Sequence, residues 1–167
     1  NLLKEEDRLV ISRINEKGRA WIVGGWVRDC LSGLMPTELD LATTLTPRDV
    51  QTIFPRSIMT GEKFGTTIVR IDDSEKASYQ CEVTTLRADG GYGDGRRPDN
   101  VVFGQEIEAD LARRDFTINA MAVDDSGRLI DPFGGLDDLQ EGLLRTVGSA
   151  EERISEDGLR ILPVSYT

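Results

Sequence analysis

Residues 20–43 read AWIVGGWVRDCLSGLMPTELDLAT. Four apolar residues, Ala20 to Val23, form a short buried strand. Gly24-Gly25 turns the chain, Trp26 to Leu34 reads as a short helix, and Pro36 marks a loop before a second strand over 38–43. In a strand, residues i and i+2 share a face, so Glu38 and Asp40 project together, roughly 6–7 Å apart. Leu39 and Leu41 then point the other way, into a core. Two hard oxygen ligands on one edge suit Mg²⁺, which takes one or two carboxylates plus substrate phosphates. A glycine turn that opens a helix suits the phosphates themselves. The pairing points to a metal-dependent enzyme that handles a nucleoside triphosphate.

Outward from this stretch, short strands and helices alternate. Residues 2–17 carry Leu2, Leu3, Leu9, Val10, Ile11 and Ile14 among charges, the pattern of an amphipathic helix that Gly18 stops. Thr46-Pro47 supplies an N-cap and a first-turn proline for a helix over 47–54. Residues 66–71 and 78–86 are β-branched and partly alternating, and read as antiparallel neighbours. Residues 107–122 look mostly helical, and 122–131 hold two extended pieces around a turn at Asp125-Ser-Gly127. After the Gly134-Gly135 break, 136–140 and 150–162 read as helices, with 144–147 extended between them. The expectation is an α/β fold: a mixed, mostly antiparallel sheet of about five strands with helices on one face.

Composition removes whole classes of chemistry. The chain of 167 residues has no histidine, which excludes Ser-His-Asp and Cys-His catalysis and His-ligated metals. Cys30 and Cys81 are the only thiols, too few and too far apart for a disulfide framework or a zinc site, which fits a reducing, cytoplasmic setting. No apolar run approaches a membrane span and no signal peptide is visible. A formal net charge of -10 argues against a general nucleic-acid binder.

Each candidate constellation also has a plain structural explanation. Gly24-Gly25 with Arg28 fits an anion site or a tight turn carrying a surface Arg–Asp pair. Glu38 and Asp40 also fit the outer face of an edge strand, but Glu82, on another strand and facing opposite to Cys81 and Val83, would complete a carboxylate cluster. Arg113, Arg114 and Asp115 fit helix ion pairs, or a ribose hydroxyl and phosphate oxygens held by planar guanidinium forks. Residues 89–98, with four glycines, Tyr92, Asp94, Arg96 and Arg97, fit a free loop or one that orders over a nucleotide.

Taken together, these words resemble the head domain of the class II tRNA nucleotidyltransferases (CCA-adding enzymes) and the related bacterial poly(A) polymerases. The matching words are GGWVRD (24–29), ELDLATTLTP (38–47), TGEKFGT (60–66), EVTT (82–85), DGGYGDGRRP (89–98), RRDFTINAMA (113–122), DPFGG (131–135), RTVG (145–148) and EDGLR (156–160). Their order covers about residues 20–162.

The resemblance implies a polymerase-β-like nucleotidyltransferase fold. It divides the chain into a head at 1–148 and the start of a neck helix, truncated or divergent, at 149–167. It implies addition of CMP and AMP from CTP and ATP to the tRNA 3′ end without a nucleic-acid template, with Mg²⁺ at Glu38 and Asp40 and with Glu82 beside them. By family role Gly24, Gly25 and Arg28 hold the triphosphate, and Arg113, Arg114 and Asp115 match the ribose-recognising motif, with Asn119 also expected to bind the nucleotide. Asp157 and Arg160 match the pair that hydrogen-bonds the incoming base. The tRNA would be bound mainly through C-terminal domains that this chain lacks. Poly(A) polymerase or A-adding activity is the near alternative. A departure motivates another: the family usually has Asp at the first metal position, where this chain has Glu38, so a catalytically weakened nucleotide-binding module also fits.

Overall fold

The structure, a computed structural model, describes residues 2–36, 38–60, 65–71, 79–87 and 106–148. Helix α1 (Glu5–Asn15) leads into β1 (Ala20–Val23), α2 (Gly25–Leu31), β2 (Asp40–Thr43) and α3 (Pro47–Ile53). Strands β3 (Ile58–Met59), β4 (Thr66–Ile71) and β5 (Tyr79–Thr85) follow. Then come α4 (Ile107–Ala112), a 3-10 turn η1 (Thr117–Asn119), the hairpin β6 (Ala122–Val123) and β7 (Leu129–Ile130), and α5 (Gly135–Glu141).

The helices begin where their caps dictate. Thr46 Oγ1 accepts from the Asp49 amide at 3.2 Å and the Asp49 carboxylate accepts from the Thr46 amide at 3.2 Å, a reciprocal capping box for α3. In α1 the Asp7 carboxylate takes the Lys4 amide at 2.8 Å and is itself buried, because the Tyr79 hydroxyl of β5 donates to its other oxygen at 2.5 Å. One carboxylate thus closes a helix end and ties that helix to the sheet.

The strands form one sheet in the order β3-β4-β5-β2-β1-β6-β7. Every neighbouring pair is antiparallel except β2 with β5. Among the described residues the sheet therefore has seven strands rather than about five. The strand not read from the sequence is β3, two residues long and too short to show alternation, while β6 and β7 are the two extended pieces expected within 122–131.

Alternation along the central strands divides the core. Ile22, Leu41, Cys81 and Val83 face a layer built by Val10 and Ile14 of α1, Val27 of α2 and Val50 of α3. Trp21, Val23 and Ala42 face the other way, onto Ile107 and Leu111 of α4, with Leu86 and Val147. Helices thus lie on both faces. The expected helix over 107–122 is also shorter: α4 ends at Ala112, and Phe116 pairs with Thr146 in an antiparallel bridge. That pairing, with Val147 N donating to Asp115 O at 3.0 Å, overrides local helical preference.

Candidate active site

The C-terminal end of β1, the start of β2 and the segment after α4 meet at a cavity of about 330 Å³. Gly24, Gly25 and Arg28 line it from the β1–α2 junction, Asp40 from β2, Arg113, Arg114 and Asp115 from the turn after α4, and Asn119 from η1. These residues are separated widely in sequence, and the sheet order brings them together.

Gly24 sits at φ 70, and a Cβ there would lie 3.1 Å from Arg114 Nη1 and 3.9 Å from Asp40 Oδ2. Only glycine combines that left-handed backbone with such a close approach. One turn on, Arg28 Nη1 donates to Asn119 Oδ1 at 2.8 Å and its Nε donates to Asp29 Oδ1 at 3.0 Å. The guanidinium is thereby fixed at the mouth of the cavity. Arg114 Nη2 pairs with Asp110 Oδ2 at 3.3 Å, and Arg113 Nη2 donates to the Arg87 carbonyl at 3.3 Å.

Asp40 and Glu82 are register partners in the one parallel ladder. With Leu41 and Val83 in the core on one side, both carboxylates belong to the opposite face. Burial pushes the Asp40 carboxyl above its ordinary value; the Glu82 charge adds to this, Arg114 opposes it and Glu38 adds further. Glu38 itself is exposed and precedes the strand. The expected strand over 38–43 starts only at Asp40. On the β1 side the chain has already turned away at Gly24, so residues before Asp40 have no β1 neighbour to pair with.

Among the described residues, no group of three acidic or sulfur side chains closes around a point in the manner of a finished metal cage. The donor set nevertheless fits a hard divalent cation. Asp40 is a half-buried carboxylate whose charge is disfavoured by two neighbouring carboxylates, and a cation relieves that repulsion. An ion such as Mg²⁺ takes few protein ligands and completes its shell with water and phosphate oxygens.

Behind the cavity lies a brace that no sequence motif announced. Thr117 Oγ1 donates to the buried Asp138 carboxylate at 2.6 Å, and Arg145 pairs with its other oxygen at 3.3 Å. The Thr117 amide donates to the Arg145 carbonyl at 2.9 Å. Asp131 caps α5 by accepting from the Gly135 and Leu136 amides at 2.7 and 2.9 Å. DPFGG and RTVG are visible as words in the sequence, but their task, holding η1 and hence Asn119 from behind, depends on long-range packing. The sequence carried no local signal for it, since Asp138 is one of three acids in α5, with Asp137 and Glu141. Asp157, Arg160 and the 89–98 loop lie outside the described residues.

A family model described as "Poly A polymerase head domain" matches residues 20–145. The CCA-adding enzyme of Geobacillus thermodenitrificans is 47% identical over 154 residues, which are 92% of this chain and 37% of that protein. That of Lactobacillus johnsonii is 48% identical over the same shares. The crystal structure of the Bacillus stearothermophilus CCA-adding enzyme in complex with CTP superposes with a TM-score of 0.78 at 40% identity, covering 95% of this chain and 38% of that one. The Thermotoga maritima CCA-adding enzyme complexed with tRNA gives 0.71 at 26% identity, covering 96% and 37%. The chain thus spans little more than a third of the length of the curated relatives it matches.

Proposed function

We infer the reaction from one premise: the chain belongs to the poly A polymerase head-domain family. We propose that it is the catalytic head of a nucleotidyltransferase that transfers CMP and AMP from CTP and ATP to the 3′ end of tRNA. The observation that carries this reading is the cavity in which three arginines, a glycine turn and a half-buried carboxylate converge. The relatives above, all CCA-adding enzymes and one of them bound to CTP, favour CCA addition over poly(A) synthesis.

In this reading the RNA 3′-hydroxyl attacks the α-phosphorus in line and pyrophosphate leaves. Arg28, Arg113 and Arg114 hold the triphosphate oxygens and stabilise the charge of the departing pyrophosphate. The bare backbone of Gly24 and Gly25 lets the phosphates approach closely. Asp115 accepts from a ribose hydroxyl. Asn119 acts as a positioning residue, since its carbonyl oxygen holds the Arg28 fork. Asp40, with Glu38 and Glu82 beside it, would hold Mg²⁺, which when bound supplies charge neutralisation and lowers the pKa of the attacking hydroxyl. Asp157 and Arg160 are proposed to select the base. The protein works in the cytoplasm on this reading, in keeping with two free cysteines and with the absence, among the described residues, of any helix long and apolar enough to cross a membrane.

The test is transfer of labelled CMP and AMP to a tRNA lacking its terminal CCA, at high protein concentration and with Mg²⁺ titrated. Asp40→Ala should abolish transfer with the fold intact, and undiminished transfer would refute the assignment. The exposure of Glu38 ahead of the strand favours a second reading, a weakened enzyme. Glu38→Asp then raises turnover, whereas unchanged turnover shows that the site accommodates glutamate. Because the chain carries 20 basic and 30 acidic residues, we expect its grip on tRNA to be weak.

A further inference from the structure

Arg28 and Asp29 are neighbours in α2, and neighbouring residues on a helix point about 100° apart rather than toward each other. Here the Arg28 side chain turns toward Asp29 all the same. Its Nε donates to Asp29 Oδ1 at 3.0 Å, and its Nη2 lies 2.9 Å from the same oxygen. On the other flank Nη1 donates to Asn119 Oδ1 at 2.8 Å. Beneath lies Gly25, where an added Cβ would come within 3.3 Å of Nη2 and 3.7 Å of Cζ, so glycine leaves the guanidinium a seat. Asp29 is itself anchored, because its carbonyl accepts from the Leu34 amide at 2.9 Å. With side-chain exposures of 25% and 28%, the pair differs from the mobile, screened surface kind whose net worth is near zero.

Arg28 lines the Asp40 cavity and Asp29 does not. Whatever Asp29 does there, it does through the guanidinium. Each Nη carries two N–H groups, so one acceptor on each flank still leaves donors for phosphate oxygens. An unheld arginine samples many rotamers, and fixing one at the moment of binding costs affinity. We propose that Asp29 is a positioning residue for the triphosphate: its Oδ1 holds the Arg28 fork in the binding geometry before the nucleotide arrives. The proposal rests on the reading that Arg28 grips the triphosphate. The carboxylate also has a drawback, since its negative charge lies beside the anion that Arg28 receives. An oxygen in the same place without the charge keeps the orientation and removes the repulsion.

The experiment is a calorimetric titration of the chain with ATP and Mg²⁺ at two ionic strengths. It compares wild type with Asp29→Ala, Asp29→Asn, Arg28→Ala and Arg28→Ala/Asp29→Ala, each well below its melting temperature. Asp29→Ala should weaken ATP binding about five- to tenfold, the order of immobilising one long side chain on binding. Asp29→Asn should restore binding to wild-type strength or up to about threefold tighter, with the gain fading as salt screens the repulsion. Arg28→Ala should weaken binding by itself, and adding Asp29→Ala should then change it by less than about twofold. A side chain that merely stabilised the fold would act equally in both backgrounds. Full affinity in Asp29→Ala, an Asp29→Asn variant as weak as Asp29→Ala, or an equal loss with and without Arg28 would each overturn the proposal. Absent ATP binding by the wild type, or Arg28→Ala binding like wild type, would overturn it together with the triphosphate reading. A weakened Arg28→Ala beside an unaffected Asp29→Ala removes this inference alone.

Discussion

Gly135 offers a sharp test of how the Asp40 cavity is supported. A methyl group added there would run into the Thr117 carbonyl oxygen, with the carbonyl carbon at 2.8 Å and Met121 Cγ at 3.0 Å. Ordinary contact begins at 3.4 Å, so α5 and η1 must separate by about 0.6 Å for the carbon alone, and by more for the oxygen. The obstacle is main chain and cannot rotate aside. Overpacking of this kind costs about 1–3 kcal/mol. The same separation stretches the 2.6 Å bond from Thr117 to the buried Asp138 carboxylate, which adds about 1 kcal/mol. A total near 3 kcal/mol, at about 2–4 °C per kcal/mol for a chain of this size, lowers the melting temperature of Gly135→Ala by roughly 6–12 °C. Circular-dichroism melts read this directly. Because η1 carries Asn119, ATP binding measured well below the melting point should weaken as well, through the Arg28 fork. A melting temperature within about 2 °C of wild type, with ATP affinity unchanged, would refute the reasoning.

Two further outcomes follow from buried acids. The Asp40 carboxyl is raised by burial and by Glu82, so its stabilising share is present at low pH and is lost as pH rises through its folded pKa. Asp40→Asn should therefore melt higher than wild type at neutral pH without added divalent cation, and the gap should close on acidification; a constant gap across pH would count against the crowded-carboxylate account. Tyr79→Phe removes the hydroxyl that satisfies buried Asp7, and urea denaturation should show a loss of about 1–3 kcal/mol, whereas a neutral result would mean that water replaces the hydroxyl.

Legibility in the sequence followed the range of the interactions. The Gly24-Gly25 turn, the Thr46-Pro47 helix start, and the β4–β5 pair announce themselves through local chemistry, and each is present. Glu82 was found because strand alternation fixes facing, although its partner Asp40 lies far away in the chain. The failures are where tertiary pairing decides. The segment 113–122 has helical preferences but is broken into a bridge at Phe116 and the short turn η1 by Thr146 and the Arg145 carbonyl. Glu38 looked like a strand residue, yet β1 ends too early to pair with it. Helices on both faces follow from Trp21 and Val23 packing on α4, and a fully apolar strand does not say which side needs which cover.

The parallel pairing of β2 with β5 has a consequence for how the acidic face assembles. The β3–β4 and β6–β7 neighbours follow one another closely in sequence, but β2 and β5 are separated by α3, β3 and β4, and the antiparallel β1–β6 pair by a still longer stretch of chain. Closing so long a loop is slow and comes late relative to local contacts. The acids at 40 and 82 are therefore strangers until that crossover is complete. Newly made or partly unfolded chains can have a formed glycine turn and an intact α1 and still lack the acidic face. The acidic face then arrives with the closing of the β2–β5 ladder.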